Sequence, residues 1–505
     1  MFLARQLSSP GRLYCVKCAQ CFSSQSFDFK TSVAKNEPMF DYAPKSKEQE
    51  ALNLAIHKYS KQVTEIPIVV GEEEIKTSEV RYQVCPFDHQ KKIAKYYYAD
   101  SDIIEKAIYV SQEARTAWGK RPLAERAEIF ARAADIISTD RRMDLLATTM
   151  LGQAKNVVQA EIDTAAELAD FYRFNNQFAK EITEYQPICP SETETNTMVY
   201  RGMEGFWAAI TPFNFTAIGG HLPAAPALMG NVVLWKPSDT AMLSNYTVFK
   251  ILQEAGLPPG VINFLPADGP LFGNTVTSSS YLSGINFTGS VRTFKTLWKL
   301  VAENMDIYRT YPRIIGECGG KNMHFVHSSA DAESVINGSI RSAFEYGGQK
   351  CSACSRMYVP ESLWPKIKDG LIAIQKQVKL GSALEQDTFL SAVIDQKAFH
   401  RIKSYIDHAK SCPDETILAG GGCDDRYHYT KLFYEPTIIQ TTNPLGEIMQ
   451  EEIFGPVLTV YVYPDNKCHE TAHLAANTSS FGLTAAIFVQ DQYVYIPFRF
   501  DSRFV

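Results

Sequence analysis

The spacing of apolar residues changes along the chain. From about 101 to 183 these residues recur at helical spacing, for example within Leu123–Ser138, which predicts amphipathic helices with one face in a core. Glu161, Asp163 and Glu167 fall on the polar side of this pattern, so we expect them to face solvent.

After about residue 203, short apolar runs alternate with helical patches, which predicts a parallel sheet in a doubly wound α/β domain. A second α/β region is predicted from 313 to 490. Between the helical region and the first α/β region, residues 187–202 are polar, threonine-rich and alternating, which predicts an exposed β-hairpin arm. The predicted strands lie at 206–210, 232–235, 261–265, 285–287, 323–326, 356–359, 437–439, 457–463 and 485–489.

Two of the predicted strands end at residues that could hold a nucleotide, and ligands on parallel sheets bind at the carboxyl ends of strands. Lys236 and Asp239 follow one strand and could contact a ribose or a phosphate oxygen. Gly289 follows another and begins a strand-to-helix turn whose free N–H groups suit a pyrophosphate. Because no G-x-G-x-x-G sequence is present, an ordinary turn would show the same pattern.

Two glycine-flanked residues are candidates for chemistry. Cys351 follows Gly347 and Gly348, which permit a sharp turn, and Lys350 is adjacent. Because the thiolate is the nucleophile, positive charge nearby would favour the reactive form. Glu317 lies between Gly316 and a Cys-Gly-Gly sequence, on a turn that could bring its carboxylate to a substrate. Each also has a plainer interpretation, as a packing cysteine and as a residue of a surface turn.

Composition and charge exclude several classes of protein. The 505 residues carry a net charge of −6 and a sequence pI near 6.0, which argues against a nucleic-acid surface. No apolar run approaches the roughly 20 residues of a membrane helix. The 11 cysteines form no disulfide framework, and we predict no metal site, including at Cys15-x-x-Cys18-x-x-Cys21. Residues 1–27 are basic, serine-rich and free of acidic residues, as in mitochondrial transit peptides.

Six sequence stretches, taken in order, resemble the aldehyde dehydrogenase superfamily. The resemblance covers roughly residues 40–490. Within the superfamily, 213–220, 266–273 and 347–356 are most similar to the branch that oxidises L-glutamate γ-semialdehyde. The six stretches are Thr211–Phe215, Trp235–Ser238, Phe287–Ser290, Gly316–Asn322, Phe344–Ser355 and Glu451–Pro456.

The resemblance implies a fold and a set of roles. It implies a Rossmann-type NAD-binding domain (28–186 and 203–315), a β-hairpin oligomerisation arm (187–202) and an α/β catalytic domain (316–490). Cys351 would be the nucleophile, Glu317 the general base and Asn214 an oxyanion donor. The implied NAD-binding residues are Thr211, Lys236, Ser238, Asp239, Gly289, Ser290, Val291, Glu452 and Phe454, and the implied substrate-lining residues are Glu167, Phe215 and Ser352.

The implied protein is a mitochondrial matrix enzyme of proline degradation that forms a homodimer or a higher homo-oligomer. It departs from the family near Val489–Gln490, because residues 491–505 look unrelated. We therefore expect a truncated isoform or a gene-model error, missing the loop that anchors the substrate carboxylates, and poorly active or unstable as written. The alternatives are an inactive or regulatory isoform that binds NAD without turnover, and a thiol esterase that uses Cys351 without a nucleotide.

Overall fold

The computed structural model describes residues 33–188, 193–194, 196–424 and 432–491. The expected transit peptide at 1–27, with Cys15, Cys18 and Cys21, lies outside the described residues. All but the first residue of the expected divergent tail at 491–505 lies outside them as well. No helix of the described ranges has the length and apolar character needed to cross a membrane.

The N-terminal part of the described chain contains one helix and five strands. Pro67 divides the apolar run 66–70 between β1 and β2, because proline has no N–H to donate to a sheet. Strands β1, β5 and β4 form a three-stranded sheet, whereas β2 and β3 join a larger sheet. The elements are α1 (Lys47–Ser60), β1 (Thr64–Ile66), β2 (Ile68–Val70), β3 (Glu73–Ile75), β4 (Val80–Cys85) and β5 (Asp88–Tyr97).

The helical region predicted at 101–183 is confirmed, but the expected exposure of its acidic residues is wrong at two positions. Glu161 and Asp163 are each only 1% exposed. Arg142 donates hydrogen bonds to Glu161, and Lys155 donates to Asp163 at 2.7 Å. Apolar periodicity does not detect a carboxylate that is buried with a cation as its partner. The helices are α2 (Ser101–Lys120), α3 (Leu123–Ser138), α4 (Arg142–Gln153), α5 (Val157–Ala160), a π-helical turn (Glu161–Glu167) and α6 (Leu168–Glu184).

The first predicted α/β region forms a seven-stranded sheet in the order β10-β9-β6-β7-β8-β2-β3. Strands β6 to β10 are parallel to their neighbours, and β2 and β3 add an antiparallel edge. The strands beyond those already given are β6 (Phe206–Ile210), β7 (Val232–Lys236), β8 (Ile262–Phe264), β9 (Leu282–Thr288) and β10 (Arg313–Glu317). The helices between them are α7 (Thr216–Leu228), α8 (Met242–Glu254), α9 (Gly269–Thr277) and α10 (Val291–Glu303).

The second α/β region forms a six-stranded sheet in the order β13-β16-β17-β12-β11-β18. Because β10 pairs with β9 as far as Glu317, the first sheet extends two residues beyond the expected domain boundary at 315. The elements are β11 (Asn322–Val326), α11 (Ala332–Phe344), β12 (Cys354–Pro360), α12 (Trp364–Gln375), α13 (Gln396–Ser411), β13 (Glu415–Ala419), β14 (Cys423–Asp424), β15 (Phe433–Tyr434), β16 (Thr437–Thr441), α14 (Glu447–Gln450), β17 (Val457–Tyr463), α15 (Cys468–Asn477) and β18 (Ala485–Phe488).

The segment 187–202 is only partly described, since 189–192 and 195 lie outside. Its described residues are mostly exposed, as predicted, but none of them lies in a strand. The side chain of Gln186 exchanges hydrogen bonds with the backbone of Met198 at 2.8 and 3.0 Å, so the chain does double back here. The β-pairing expected of a hairpin is absent from the described part of this segment.

Candidate active site

The carboxyl ends of four strands lie side by side at one edge of the seven-stranded sheet. Ile210 pairs with both Lys236 and Phe287, and Thr288 pairs with Glu317. The residues that end or follow these strands therefore line one edge. Thr211, Lys236, Gly289 and Glu317 therefore lie at neighbouring strand ends.

The turn that carries Cys351 has an unusual backbone. Tyr346, Gly347 and Gly348 have φ angles of +54°, +63° and +66°, so three consecutive residues adopt the left-handed conformation that glycine tolerates best. A methyl group on Gly348 would lie 2.2 Å from the carbonyl oxygen of Gly455. The turn predicted from the two glycines is therefore present, and it closes directly on the segment that follows Glu452 and Phe454.

Two asparagines hold the backbone around Cys351. The side-chain amide of Asn322 donates to the carbonyl oxygens of Cys351 and Ala353 at 2.6 and 3.0 Å. The buried amide of Asn214 donates to the carbonyl of Gln349 at 3.1 Å. Asn214 thus reaches the cysteine turn, as its implied role requires. The sequence analysis did not single out Asn322, although it ends the Gly316–Asn322 stretch.

Charge near Cys351 differs from the sequence-based expectation. Lys350 pairs with Glu345 at 2.6 Å, so its ammonium is compensated by a carboxylate. Burial raises the pKa of Cys351 to about 11, and the carboxylates of Glu317 and Glu452 also raise it. Burial and these two carboxylates together keep the thiol protonated near neutral pH.

This arrangement predicts how alkylation of Cys351 depends on pH. The thiolate is the reactive form. The rate at which iodoacetamide modifies Cys351 should therefore increase about tenfold for each unit by which the pH is raised, up to about pH 11. Glu317→Gln removes a negative charge that raises the pKa of Cys351, so this variant should react faster at a fixed, mildly alkaline pH. The rate is measured by mass spectrometry of the peptide that contains Cys351.

Glu470→Gln is the matched control, because Glu470 is exposed and pairs with Lys467 at 2.8 Å. It should leave the alkylation rate of Cys351 unchanged. A pH-independent rate, or equal rates for Glu317→Gln and Glu470→Gln, would contradict the electrostatic account.

Lys236 ends β7, and the residues around it hold one another by hydrogen bonds. Lys236 donates to the carbonyl of Pro237 at 3.1 Å, and burial lowers its pKa. The Thr211 hydroxyl accepts from Trp235 at 3.1 Å. Ser238 begins the turn with its hydroxyl 3.3 Å from that of Thr240. These contacts fix the turn and leave Lys236 beside the strand ends.

Asp239 is held by a residue from the three-stranded sheet. The Tyr98 hydroxyl donates to Oδ2 of Asp239 at 2.5 Å. The other oxygen, Oδ1, is buried and has no hydrogen-bond partner in the part of the chain that the structure describes. A buried carboxylate oxygen without a donor is costly, so a ligand hydroxyl would be favoured at this point.

A cleft of about 630 Å³ lies between the two α/β regions. It is lined by Val291 and Lys295 of α10, by Glu451 and Glu452, and by Phe481. The Ser290 hydroxyl caps α10 by accepting from the N–H of Thr293 at 3.2 Å. The amino end of α10 and Glu452 thus line the same cleft. The family resemblance implied an NAD-binding role for each of them.

Glu452 and Phe454 connect the two regions. Oε1 of Glu452 accepts from the N–H of Gly320 at 2.8 Å, and burial raises the pKa of this carboxyl group. The Phe454 ring meets the Phe213 ring edge-on, with centroids 5.9 Å apart. Glu452 therefore fixes the glycine turn that follows Glu317, a contact that the sequence did not predict.

The three expected substrate-lining residues have different surroundings. Burial raises the pKa of Glu167 to about 7, whereas Lys155 and Lys350 lower it. The Phe215 ring lies 4.1 Å from the ammonium nitrogen of Lys155. Ser352 is exposed, directly after Cys351. All three are therefore linked to the cysteine turn, Ser352 by sequence and the others through Lys155 and Lys350.

A buried lysine that the sequence did not indicate joins the loops of Asn214 and Cys351. Lys155 is fully buried, and its ammonium lies 4.1 Å from the Phe215 ring and 4.8 Å from the Tyr346 ring. Its partner Asp163 accepts from the N–H groups of Thr216 and Ala217 at 2.9 and 2.8 Å, at the start of α7. This Lys155–Asp163 pair therefore contacts both the loop that carries Asn214 and the turn that carries Cys351.

Comparison with known proteins agrees with these features. The sequence model of the aldehyde dehydrogenase family matches residues 74–499. The chain is 59% identical to the mitochondrial delta-1-pyrroline-5-carboxylate dehydrogenase of Danio rerio over 91% of this chain and 82% of that protein. It is 60% identical to the Rattus norvegicus protein of the same name over 90% of this chain and 81% of that one.

Among solved structures, the delta-pyrroline-5-carboxylate dehydrogenase of Mycobacterium tuberculosis bound with NAD is similar. It superposes with a TM-score of 0.88 at 39% identity, over 92% of this chain and 85% of that one. The α/β fold expected from the sequence is therefore confirmed, and the protein belongs to the aldehyde dehydrogenase family.

Proposed function

We propose that this protein oxidises L-glutamate γ-semialdehyde, formed from Δ1-pyrroline-5-carboxylate, to L-glutamate with NAD as the hydride acceptor. Two observations carry the proposal: the Asn214 amide donates to the carbonyl of Gln349 in the turn that carries Cys351, and the Glu317 carboxylate raises the pKa of the Cys351 thiol. The names of the relatives support the substrate, and a solved relative contains NAD.

The residues at the strand edge fit NAD. The unpartnered Oδ1 of Asp239 would accept from a ribose hydroxyl, and the negative charge of this residue favours NAD over a cofactor with a 2′-phosphate. Lys236 and Glu452 would hold ribose hydroxyls, with Thr211 and Ser238 beside them. Gly289, Ser290 and Val291 would face the pyrophosphate at the amino end of α10, and Phe454 would border the nicotinamide ribose.

The chemistry follows from the chain's own groups. The Cys351 thiol loses its proton to solvent, and the thiolate attacks the aldehyde carbon, so that the carbonyl oxygen becomes an oxyanion in a thiohemiacetal. The Asn214 amide and the backbone N–H of Cys351 donate to that oxygen. Bound NAD would supply the acceptor for the hydride that leaves the thiohemiacetal carbon, and loss of that hydride leaves a thioester on Cys351. Glu317 takes a proton from water, which attacks the thioester carbon and releases glutamate and the Cys351 thiol.

The electrostatics of the site fit these roles. Burial raises the pKa of Glu317, which makes its carboxylate a better base. Phe215 and Ser352 would line the substrate, with Glu167 next to Lys155 and Lys350. NAD-dependent release of NADH from glutamate γ-semialdehyde, compared with propanal, tests the assignment in the purified chain.

The preference between the two aldehydes, rather than the absolute rate, decides the substrate. A kcat/KM no higher for glutamate γ-semialdehyde than for propanal would contradict the substrate assignment. A rise in Tm on addition of NAD without turnover of either aldehyde would favour the alternative, an NAD-binding protein without activity.

Replacement of Asn214 by alanine tests the oxyanion site. Because the amide donor acts on a charge that exists only in the transition state, we expect kcat to fall about 10²–10³-fold, with a smaller change in KM for the aldehyde. The control is Asn477→Ala, an exposed asparagine that donates to the carbonyl of His473 at 2.8 Å. Equal kcat values for Asn214→Ala and Asn477→Ala would remove Asn214 from the mechanism.

We assign the protein to the mitochondrial matrix and expect it to form a homodimer or a higher homo-oligomer. The names of the relatives support the organelle, and the composition of residues 1–27 supports import. Import of a fluorescent protein fused to residues 1–27, followed by protease protection of the matrix, tests the location.

A further inference from the structure

Three side chains with metal-binding atoms converge at the carboxyl end of α13. The ligand atoms of His408, Cys412 and Glu415 all lie within 4.8 Å of one another. His408 and Cys412 are four residues apart, so they share one face of the helix. Glu415 returns to this face because the chain turns at Pro413 before β13 begins.

This cluster is separate from the candidate active site. The other half of α13 contacts the active-site region, where Arg401 donates to the carbonyl of Ile453 at 3.0 Å and Ile402 packs on Gly455. From Arg401 to His408 the helix advances about 10 Å. The proposed chemistry at Cys351 therefore makes no use of His408, Cys412 or Glu415.

Glu415 is a buried carboxylate with one unpartnered oxygen among the described residues. Its side chain is 9% exposed, and Oε2 has no hydrogen-bond partner in the described ranges. Burial raises its pKa, as do the carboxylates of Asp414 and Glu447, while His408 and a hydrogen bond from Cys412 lower it. An unpartnered oxygen among acidic neighbours is costly, and a bound cation would remove that cost.

The surrounding backbone also favours a cation. The cluster lies at the end of a 16-residue helix, where unsatisfied carbonyl groups carry partial negative charge. The nearest lysine in sequence, Lys410, has its ammonium 3.7 Å from Asp407 on the same helix.

The ligand types select the metal. A thiolate, an imidazole and a carboxylate together suit Zn²⁺, whereas Mg²⁺ and Ca²⁺ prefer oxygen ligands alone. We propose that His408, Cys412 and Glu415 form a Zn²⁺ site, with water as the fourth ligand, that fastens the end of α13 to the start of β13. Zn²⁺ displaces the Cys412 proton, which passes to solvent.

Calorimetric titration with Zn²⁺ tests this site in the full chain. Cys351, Cys15, Cys18 and Cys21 are replaced by serine in the reference protein, so that the candidate nucleophile and the N-terminal thiols do not compete. We expect one Zn²⁺ to bind per chain and to raise Tm. Replacement of Zn²⁺ by Co²⁺ should give a thiolate-to-metal charge-transfer band that identifies Cys412 as a ligand.

Variants of the cluster decide the outcome. Cys412→Ser and Glu415→Gln should each weaken Zn²⁺ binding by at least tenfold and remove the rise in Tm, and Cys412→Ser should abolish the Co²⁺ band. Cys468→Ser is the control, because Cys468 lies outside the cluster, and it should bind Zn²⁺ like the reference. Glu415→Gln is nearly isosteric, so its circular dichroism spectrum establishes that the fold is kept. Absence of Zn²⁺ binding by the reference, or equal binding by all three variants, would overturn the proposal.

Discussion

Cys351→Ser should reduce NADH production from glutamate γ-semialdehyde by about four orders of magnitude or more. A serine hydroxyl is far less acidic than a thiol, and the surroundings of Cys351 already raise its pKa to about 11. The same burial and the carboxylates of Glu317 and Glu452 would oppose formation of an alkoxide even more strongly. The measurement is kcat/KM for the aldehyde at saturating NAD.

Cys318→Ser is the control for this result, since Cys318 directly follows Glu317 and is also affected by the carboxylates of Glu317 and Glu452. It should keep most of the activity. Cys351→Ser should keep the rise in Tm on addition of NAD, which separates loss of chemistry from loss of the fold. Full activity in Cys351→Ser, or loss of activity only in Cys318→Ser, would show that the nucleophile is misassigned.

Lys155→Met should lower the free energy of unfolding by about 3–5 kcal/mol. The substitution leaves the Asp163 carboxylate buried without its cation, and it removes the contacts of the ammonium with the Phe215 and Tyr346 rings. Urea titration followed by tryptophan fluorescence measures the change. Since both loops rest on this pair, kcat at a temperature where the variant is folded should also fall, by about 10²-fold.

An exposed ion pair provides the comparison. Lys467 and Glu470 are about half and two-thirds exposed and 2.8 Å apart, and Lys467→Met should change the free energy of unfolding by no more than about 0.5 kcal/mol. Alkylation of Cys351 gives a further measure, because a displaced turn alters its reactivity whereas a purely global loss of stability does not. Equal losses of stability in Lys155→Met and Lys467→Met would contradict the supporting role of the buried pair.

The architecture could be predicted from the sequence because it depends on the local periodicity of apolar residues. The change from helical spacing to short apolar runs predicted the two α/β regions and the strands that end in the structure at Ile210, Lys236 and Thr288, the last two within one residue. The left-handed turn before Cys351 was also readable, because Gly347 and Gly348 are the residues that such a turn favours. The shared edge followed from the rule that parallel strands end together.

The partners of charged side chains in the folded structure could not be predicted in the same way. Lys350 pairs with Glu345 instead of stabilising a thiolate, and Asp163 caps α7 instead of facing water. Glu452 accepts from Gly320, 132 residues earlier in the chain. Each contact depends on which segments meet in space, and a charged residue has the same appearance in the sequence whether its partner is water or a buried cation.

The close approach of Gly348 to Gly455 has a mechanical consequence. Backbone meets backbone at this point, with no side chain that could adjust between them, and packed interiors yield little to compression. A displacement of the segment that carries Glu452 and Phe454 must therefore be passed to the turn that carries Cys351. The position of the nucleophile is thereby coupled to the wall of the neighbouring cleft. A molecule that binds in the cleft and moves this wall should also move the Cys351 sulfur atom.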